Sequence, residues 1–208
     1  MNAHTKITQG KMTPKSAKEE LVNGNKRFVE SQKVDRDLLK QVEQTSTGQF
    51  PFATILSCID SRVSSELIFD QGIGDIFSVR IAGNFVNEDI LGSMEFACKL
   101  AGTKLIVVLG HTSCGAVKGA CDHARLGNLT TLINKIEPAV EAVIEPKDES
   151  LRNSSNIEFV NEVAKKNVYM TIDNIRNSSE VLKAMEDAGE IDIIGGMYDI
   201  KTGEVSFY

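Results

Sequence analysis

Three short apolar runs constrain the fold of this chain more than any other feature of its sequence. They are PFATILSC at 51–58, IFSVRIAG at 76–83 and KLIVVLGH at 104–111, and each is typical of a strand buried on both faces of a parallel sheet. An amphipathic helix at 89–102 separates the second run from the third and ends at Gly102. Strands that alternate with helices predict right-handed crossovers and an α/β fold with a mainly parallel central sheet.

The rest of the chain extends this pattern in both directions. Thr13 and Pro14 are typical of a helix N-terminus, so we expect a helix from there to about Gln32. A second short helix is predicted at 36–44, further helices at 115–125, 129–145, 156–177 and 179–188, a strand at 191–200 and a C-terminal strand or hairpin arm at 204–208. The sequence therefore predicts one domain over 1–208, in which an N-terminal helical arm at 1–46 precedes a core at 47–208 whose sheet is flanked by helices.

Composition and charge limit the kinds of molecule that this protein is expected to bind. The formal net charge of −6, the sequence pI near 5.2 and the absence of Trp argue against a nucleic-acid surface. Charged or polar residues interrupt every apolar run before it reaches the length of a membrane span. The beginning of the sequence also lacks the apolar segment of a secretory signal. We expect a soluble, cytoplasmic protein that acts on a small molecule and binds neither nucleic acid nor membrane.

Two of the three apolar runs end in polar clusters, C-I-D-S-R at 58–62 and G-H-T-S-C-G at 110–115. The carboxyl ends of parallel strands meet at one edge of a sheet, where ligands bind, so both clusters should lie there. If the chain stays extended after Cys58, then Cys58, Asp60 and Arg62 project to one face. Arg62 can then hold Asp60 bidentately. Taken alone, the first cluster is more typical of a surface turn with an ordinary ion pair.

The second cluster adds thiol and imidazole groups. Cys114 begins a glycine-rich helix, whose N-terminus should lower the pKa of the thiol. His111 ends an apolar strand, where a hydrogen-bonded core histidine is the alternative. Together with Cys58 these residues form a Cys₂His set, and three protein ligands leave the fourth position of a zinc ion open, as in catalytic sites. Cys98 and Cys121 fit packing roles instead.

These motifs resemble those of a known family, the β-class carbonic anhydrases. The matching segments are 58–62 and 110–115, together with R-I-A-G-N at 80–84 and G-S-M-E-F-A at 92–97. The resemblance continues from about Gly48 to Val205. It implies an enzyme that converts CO₂ reversibly to bicarbonate and a proton by means of a zinc-bound hydroxide, with one Zn²⁺ per subunit.

The resemblance also implies roles for individual residues near the metal. Cys58, His111 and Cys114 resemble the zinc ligands of the family. Asp60 and Arg62 resemble the dyad beside the metal, in which Asp60 orients the zinc-bound water or hydroxide. In a closed form that some members adopt, Asp60 leaves Arg62 and becomes the fourth zinc ligand.

For the substrate cleft, the resemblance implies four further residues. Gln49 is similar to a cleft glutamine, and Phe77 and Phe96 are similar to an aromatic wall that comes from a neighbouring subunit. The backbone N–H of Gly115 would help to orient substrate or product. Because the family builds its sites at a subunit interface, the resemblance implies a homodimer or a dimer of dimers.

Two positions separate this chain from the pH-regulated members of the family, which carry a Trp three residues before the first cysteine and a Gly immediately before it. Ile55 and Ser57 occupy these positions here, so we expect an open site near neutral pH. Three alternatives remain: a CS₂ or COS hydrolase on the same scaffold, a non-catalytic zinc-binding protein, and an enzyme that uses Cys58 as a nucleophile.

Overall fold

A single five-stranded sheet organises the computed structural model, which describes residues 2–208. The strands are β1 (Ala53–Ser57), β2 (Ile76–Arg80), β3 (Leu105–His111), β4 (Asp192–Tyr198) and β5 (Val205–Phe207). Their order is β2-β1-β3-β4-β5. The first four are parallel, and β5 pairs antiparallel with β4. The structure therefore confirms the α/β class, the mainly parallel sheet and the C-terminal hairpin.

Helices cover both faces of this sheet. They are α1 (Lys6–Gly10), α2 (Pro14–Val29), α3 (Leu38–Thr45), α4 (Ser65–Ile68), α5 (Glu88–Glu95), α6 (Gly115–Cys121), α7 (Gly127–Ala142), α8 (Ile157–Ser178) and α9 (Glu180–Asp187). A π-helical turn, Phe96–Leu100, continues α5, and a 3₁₀ turn covers Glu149–Leu151. The short helices α1 and α4 are additions to the sequence-based expectation. None of the helices within residues 2–208 combines the length and the hydropathy that a membrane span requires.

The alternation of side chains along β3 divides the core between the two faces. Leu105, Val107 and Leu109 pack in a cluster with α2 and α4, whereas Ile106 and Val108 pack in a second cluster with α8 and α9. All five side chains are fully buried, as expected for a central parallel strand with helices on both sides. β3 is thus a rigid support for the residues that follow it.

The edge strand β2 departs from the expectation of burial on both faces. Ser78 and Arg80 are exposed, and Phe77 and Val79 are only half-buried. Within residues 2–208, β2 pairs with β1 alone, so its outer edge has no neighbouring strand there. An apolar run does not report strand order, and for this reason the sequence alone did not distinguish an edge strand from a central one.

Candidate metal centre

The polar clusters lie together because β1 and β3 are parallel neighbours. Ser57, the last residue of β1, is in register with Leu109 of β3, so Cys58 and His111 both follow at the carboxyl edge of the sheet. Cys114 is the N-cap residue of α6, with φ −62° and ψ 124°. The predicted meeting of the two clusters at one edge is confirmed.

Three donor atoms converge at this edge. One atom from each of Cys58, His111 and Cys114 lies within 4.8 Å of the other two, and the two sulfur atoms are 3.9 Å apart. The three residues are buried, with exposed fractions of 3%, 0% and 1%. Buried sulfur and nitrogen atoms at this spacing can share one ion.

The histidine is oriented for metal binding by its own backbone neighbour. His111 Nδ1 lies 3.0 Å from the carbonyl oxygen of Thr112. A carbonyl can only accept, so Nδ1 carries the proton of the neutral ring and the lone pair is on Nε2. Nε2 is buried and has no hydrogen-bond partner among residues 2–208. A buried acceptor without a partner is costly, and a metal ion at this position would satisfy it.

The Cys58 thiol is the more readily ionised of the two thiols at this centre. Hydrogen bonding from the Cys114 thiol is the largest influence and, with a smaller contribution from the Gly83 N–H, lowers the pKa of Cys58 although burial opposes it. The same shared hydrogen bond, together with burial, raises the pKa of Cys114. The expectation of a lowered pKa at Cys114 is therefore wrong, because the N–H groups at the start of α6 are outweighed.

A carboxylate and a guanidinium lie beside the three donors. Arg62 donates from Nε to Asp60 Oδ1 at 2.9 Å and from Nη2 to Oδ2 at 2.7 Å. Asp60 Oδ2 is 4.0 Å from His111 Nε2. The Arg62 hydrogen bonds hold the pKa of Asp60 well below its ordinary value, so this carboxylate is ionised at neutral pH.

The backbone of this dyad is a turn, which corrects the expectation of an extended segment through Arg62. The strand ends at Ser57, and the Val63 N–H donates to the Asp60 carbonyl oxygen at 2.9 Å. The Asp60 side chain also accepts the backbone N–H of Arg62 at 3.0 Å. An aspartate that bonds the N–H two residues ahead favours a turn over a strand, and Arg62 reaches the carboxylate by folding back.

Two residues at and just after the end of β2 support the same loop. The sequence analysis did not identify them as functional candidates. Arg80 donates from Nε to the Cys58 carbonyl oxygen at 3.0 Å and from Nη2 to that of Asp60 at 2.6 Å. The Gly83 N–H donates to Cys58 Sγ at 3.4 Å. The position of R-I-A-G-N after a third parallel strand was the available signal, because that strand end lies at the same edge.

A cavity of about 280 Å³ opens beside the donors. Cys58, Asp60 and Gly115 line it together with apolar side chains from α6 and α7. Phe77 and Phe96 lie elsewhere, in a groove of about 810 Å³ along β2 and α5, with their ring centroids 6.4 Å apart. Gln49 is exposed and precedes β1, at the opposite end of that strand from Cys58. Within one chain, Gly115 thus lines the same cavity as Cys58 and Asp60, whereas the other three cleft candidates do not.

The donor set fits zinc. Sulfur and imidazole donors are the ligands that zinc prefers, and three of them leave one position open for water or substrate. Two thiolates and a neutral imidazole also balance the charge of a divalent cation. The unpartnered Nε2 of His111 is the observation in this structure that calls for such an ion.

Comparisons with known proteins show the family to which this chain belongs. The family model for carbonic anhydrases matches residues 53–205. The chain is 34% identical over 201 residues to carbonic anhydrase 2 of Mycobacterium tuberculosis, with 91% of this chain and 90% of that protein covered. It is 32% identical over 198 residues to the carbonic anhydrase of Mycolicibacterium smegmatis, with 92% of each covered. The solved structure of the β-carbonic anhydrase CcaA gives a TM-score of 0.74 at 26% identity and covers 93% of this chain and 88% of that one. The motifs, the fold and these matches together place the chain in the β-carbonic anhydrase family of enzymes.

Proposed function

We propose that this protein is a zinc-dependent carbonic anhydrase that hydrates CO₂ reversibly to bicarbonate and a proton. The observation that carries the proposal is the convergence of Cys58, His111 and Cys114 within 4.8 Å, next to a bidentate Asp60–Arg62 pair. These three residues would hold one Zn²⁺ per subunit. Zinc supplies Lewis acidity, which lowers the pKa of water and so provides a nucleophile for CO₂ at neutral pH.

Residues that hydrogen bond to the ligands strongly influence how far the metal lowers the pKa of its bound water. Two thiolates and a neutral imidazole cancel the formal charge of zinc, so the ion attracts electrons less strongly than it would with three neutral ligands. Groups that hydrogen bond to the ligands therefore matter more. The Thr112 carbonyl fixes the ring of His111, and the Gly83 N–H stabilises the thiolate of Cys58.

Asp60 is the proton-handling group of this proposal. Both of its oxygens accept hydrogen bonds from Arg62, which keeps it ionised and turned toward the guanidinium. An ionised carboxylate is acceptor-only, so Asp60 can hold the hydrogen of a nucleophilic water and point the lone pair of that water at CO₂. This arrangement supports the open form of the site, in which Asp60 stays paired with Arg62 and does not bind zinc.

The size and lining of the cavity suit a small, apolar substrate. Ile59, Ala82, Ala116, Leu129 and Ile133 give it apolar walls, and Cys58 and Asp60 add a thiol and a carboxylate to the lining. Gly115 adds a backbone N–H at the first position of α6. Helix N-terminal N–H groups bind anions, so we assign Gly115 to orienting bicarbonate.

We assign the remaining cleft residues to a partner subunit. Gln49, Phe77 and Phe96 lie away from the cavity of their own chain, and within the described residues the outer edge of β2 has no neighbouring strand. Phe96 is 53% exposed and lies beside Phe77 in one groove, and contiguous exposed apolar side chains are typical of an interaction surface. A homodimer or a dimer of dimers that covers this edge would bring these side chains to the site of the other subunit.

The rates of turnover of different substrates distinguish the proposed function from the alternative functions. Zinc-loaded protein should hydrate CO₂ much faster than it hydrolyses COS or CS₂. The reverse order of rates would indicate the hydrolase, and zinc binding without turnover would indicate a non-catalytic protein. Cys58 is only 3% exposed and faces Cys114, so a zinc-loaded enzyme should resist iodoacetamide. Alkylation of Cys58 with loss of turnover would indicate a cysteine nucleophile.

A further inference from the structure

Asn167 is a buried amide on the apolar face of α8. It is 3% exposed, and its helical neighbours Val163, Ala164 and Val168 are core residues. Its Nδ2 donates to the Gly83 carbonyl oxygen at 2.8 Å. A polar side chain is costly in such a place unless it is paired, and the pairing here reaches a loop 84 residues away.

Gly83 is the residue that connects this amide to a sulfur ligand. Its carbonyl accepts from Asn167, while its N–H donates to Cys58 Sγ at 3.4 Å. Its φ is +79°, and a Cβ at this position would lie 2.3 Å from Cδ1 of Ile136. Glycine is therefore required both by the backbone conformation and by the space, but glycine alone does not fix that conformation.

A second amide of α8 acts on the other sulfur ligand in a similar way. Asn161 Oδ1 accepts the backbone N–H of Ser113 at 2.8 Å. Ser113 has φ +55°, a left-handed conformation that is unfavourable for a serine, and it directly precedes Cys114. The hydrogen bond from Ser113 to Asn161 favours the turn that places Cys114 at the start of α6.

We propose that Asn161 and Asn167 are positioning residues of the metal centre, which fix the turns at Ser113 and Gly83 and thereby hold Cys114 and Cys58. Without the Asn167 amide, Gly83 is free to rotate and its hydrogen bond to Cys58 Sγ weakens. Loss of such an outer hydrogen bond typically costs about 10- to 100-fold in metal affinity. The inference depends on the zinc site of the proposed function.

The test compares metal release and sulfur–metal absorption in three variants. Asn167→Leu and Asn161→Leu remove one amide each without changing the side-chain length much, and Asn174→Leu is the matched control because Asn174 is exposed on the same helix. We expect zinc transfer to a chromogenic chelator to be about 10-fold faster or more in the first two variants, and unchanged in the control. In cobalt-substituted protein, Asn167→Leu should shift the sulfur-to-cobalt absorption band.

Melting temperature separates positioning from a merely structural role. Release rates and cobalt bands that equal those of wild type, with or without a lower melting temperature, would overturn the inference. If Asn167→Leu does not fold, Asn161→Leu decides the question, because its side chain is only half-buried and its loss removes little packing. Failure of the wild type to bind zinc would instead contradict the proposed function.

Discussion

The four cysteines occupy two different environments. Burial raises the pKa of Cys98 and of Cys121 to about 11, whereas hydrogen bonds from Cys114 and its neighbours lower the pKa of Cys58. A metal binds the thiolate and not the thiol. The thiolate at Cys58 is thus available at neutral pH, while Cys98 and Cys121 stay protonated in the core. Burial and the hydrogen bond with Cys58 raise the pKa of Cys114, so its assignment as a ligand depends on position, with its sulfur 3.9 Å from that of Cys58.

Removal of a ligand should abolish zinc binding. Cys58→Ala or His111→Ala leaves two protein donors, so each variant should purify with far less than one equivalent of zinc per subunit when measured by atomic absorption. Cys98→Ala is the control, since this residue is equally buried but lies away from the centre. One full equivalent of zinc in either ligand variant would refute the ligand assignment.

Asp60→Asn should separate metal binding from turnover. The amide keeps the size of the side chain but can also donate, so it no longer orients a nucleophilic water uniquely. We expect full zinc content and a kcat lower by about 10²-fold or more. Asp173→Asn, at an exposed position of α8, should leave both unchanged. Turnover equal to that of wild type in Asp60→Asn would remove this residue from the mechanism.

The sequence predicted the positions of the strands better than it predicted their order in the sheet or the turns next to them. The apolar runs around β1 and β3 and the polar residues after them were sufficient to predict one site at one edge. The position of β2 at the edge of the sheet could not be predicted from the sequence, because strand order depends on long-range pairing. The turn at Asp60 and the π-helical turn after α5 depend on local hydrogen bonds that a period of 2 or of 3.6 does not express.

The segment that follows α2 is anchored to the core by one carboxylate. Asp70 is 4% exposed and accepts from Arg27 Nε and from Arg36 Nη1, each at 2.6 Å. Its replacement removes the carboxylate that pairs with the nearly buried Arg36. Asp70→Asn should therefore lower the free energy of unfolding by about 3 kcal/mol, toward the low end for a buried pair because Arg27 is a quarter exposed.

Urea denaturation measures this loss. The control is Asp187→Asn, which breaks an exposed pair with Lys183 and should cost about 0–1 kcal/mol. Equal, small losses in the two variants would show that Asp70 does not anchor this segment.

The groove along β2, lined by Phe77 and Phe96, is the surface that we assign to subunit association. Phe77→Ala should weaken subunit association by about tenfold or more and reduce activity, while the melting temperature changes little because the ring is only half-buried in its own chain. Sedimentation velocity and hydration assays measure the two effects. Tyr169→Ala removes a ring that is 42% exposed on α8 and should change neither. Loss of stability without loss of association would contradict the shared cleft.

The pH dependence of the molecule follows from the dyad. Arg62 lowers the pKa of Asp60 in the folded state, so Asp60 contributes stability above its ordinary pKa near 3.8, and that contribution is lost only as the pH falls below it. Near neutral pH the carboxylate remains ionised and paired. Ile55 is fully buried where pH-regulated relatives are expected to carry Trp. We therefore expect no switch to a closed site at neutral pH.

Stopped-flow CO₂ hydration by zinc-quantified protein, measured from about pH 7 to 9, is the decisive test of the proposed function. We expect catalysed hydration over that whole range, with a rate proportional to bound zinc. Activity confined to the alkaline end would leave the enzyme assignment intact and contradict the open site. Absence of catalysed hydration at every pH, with one zinc ion bound per subunit, would show that the protein is not a carbonic anhydrase.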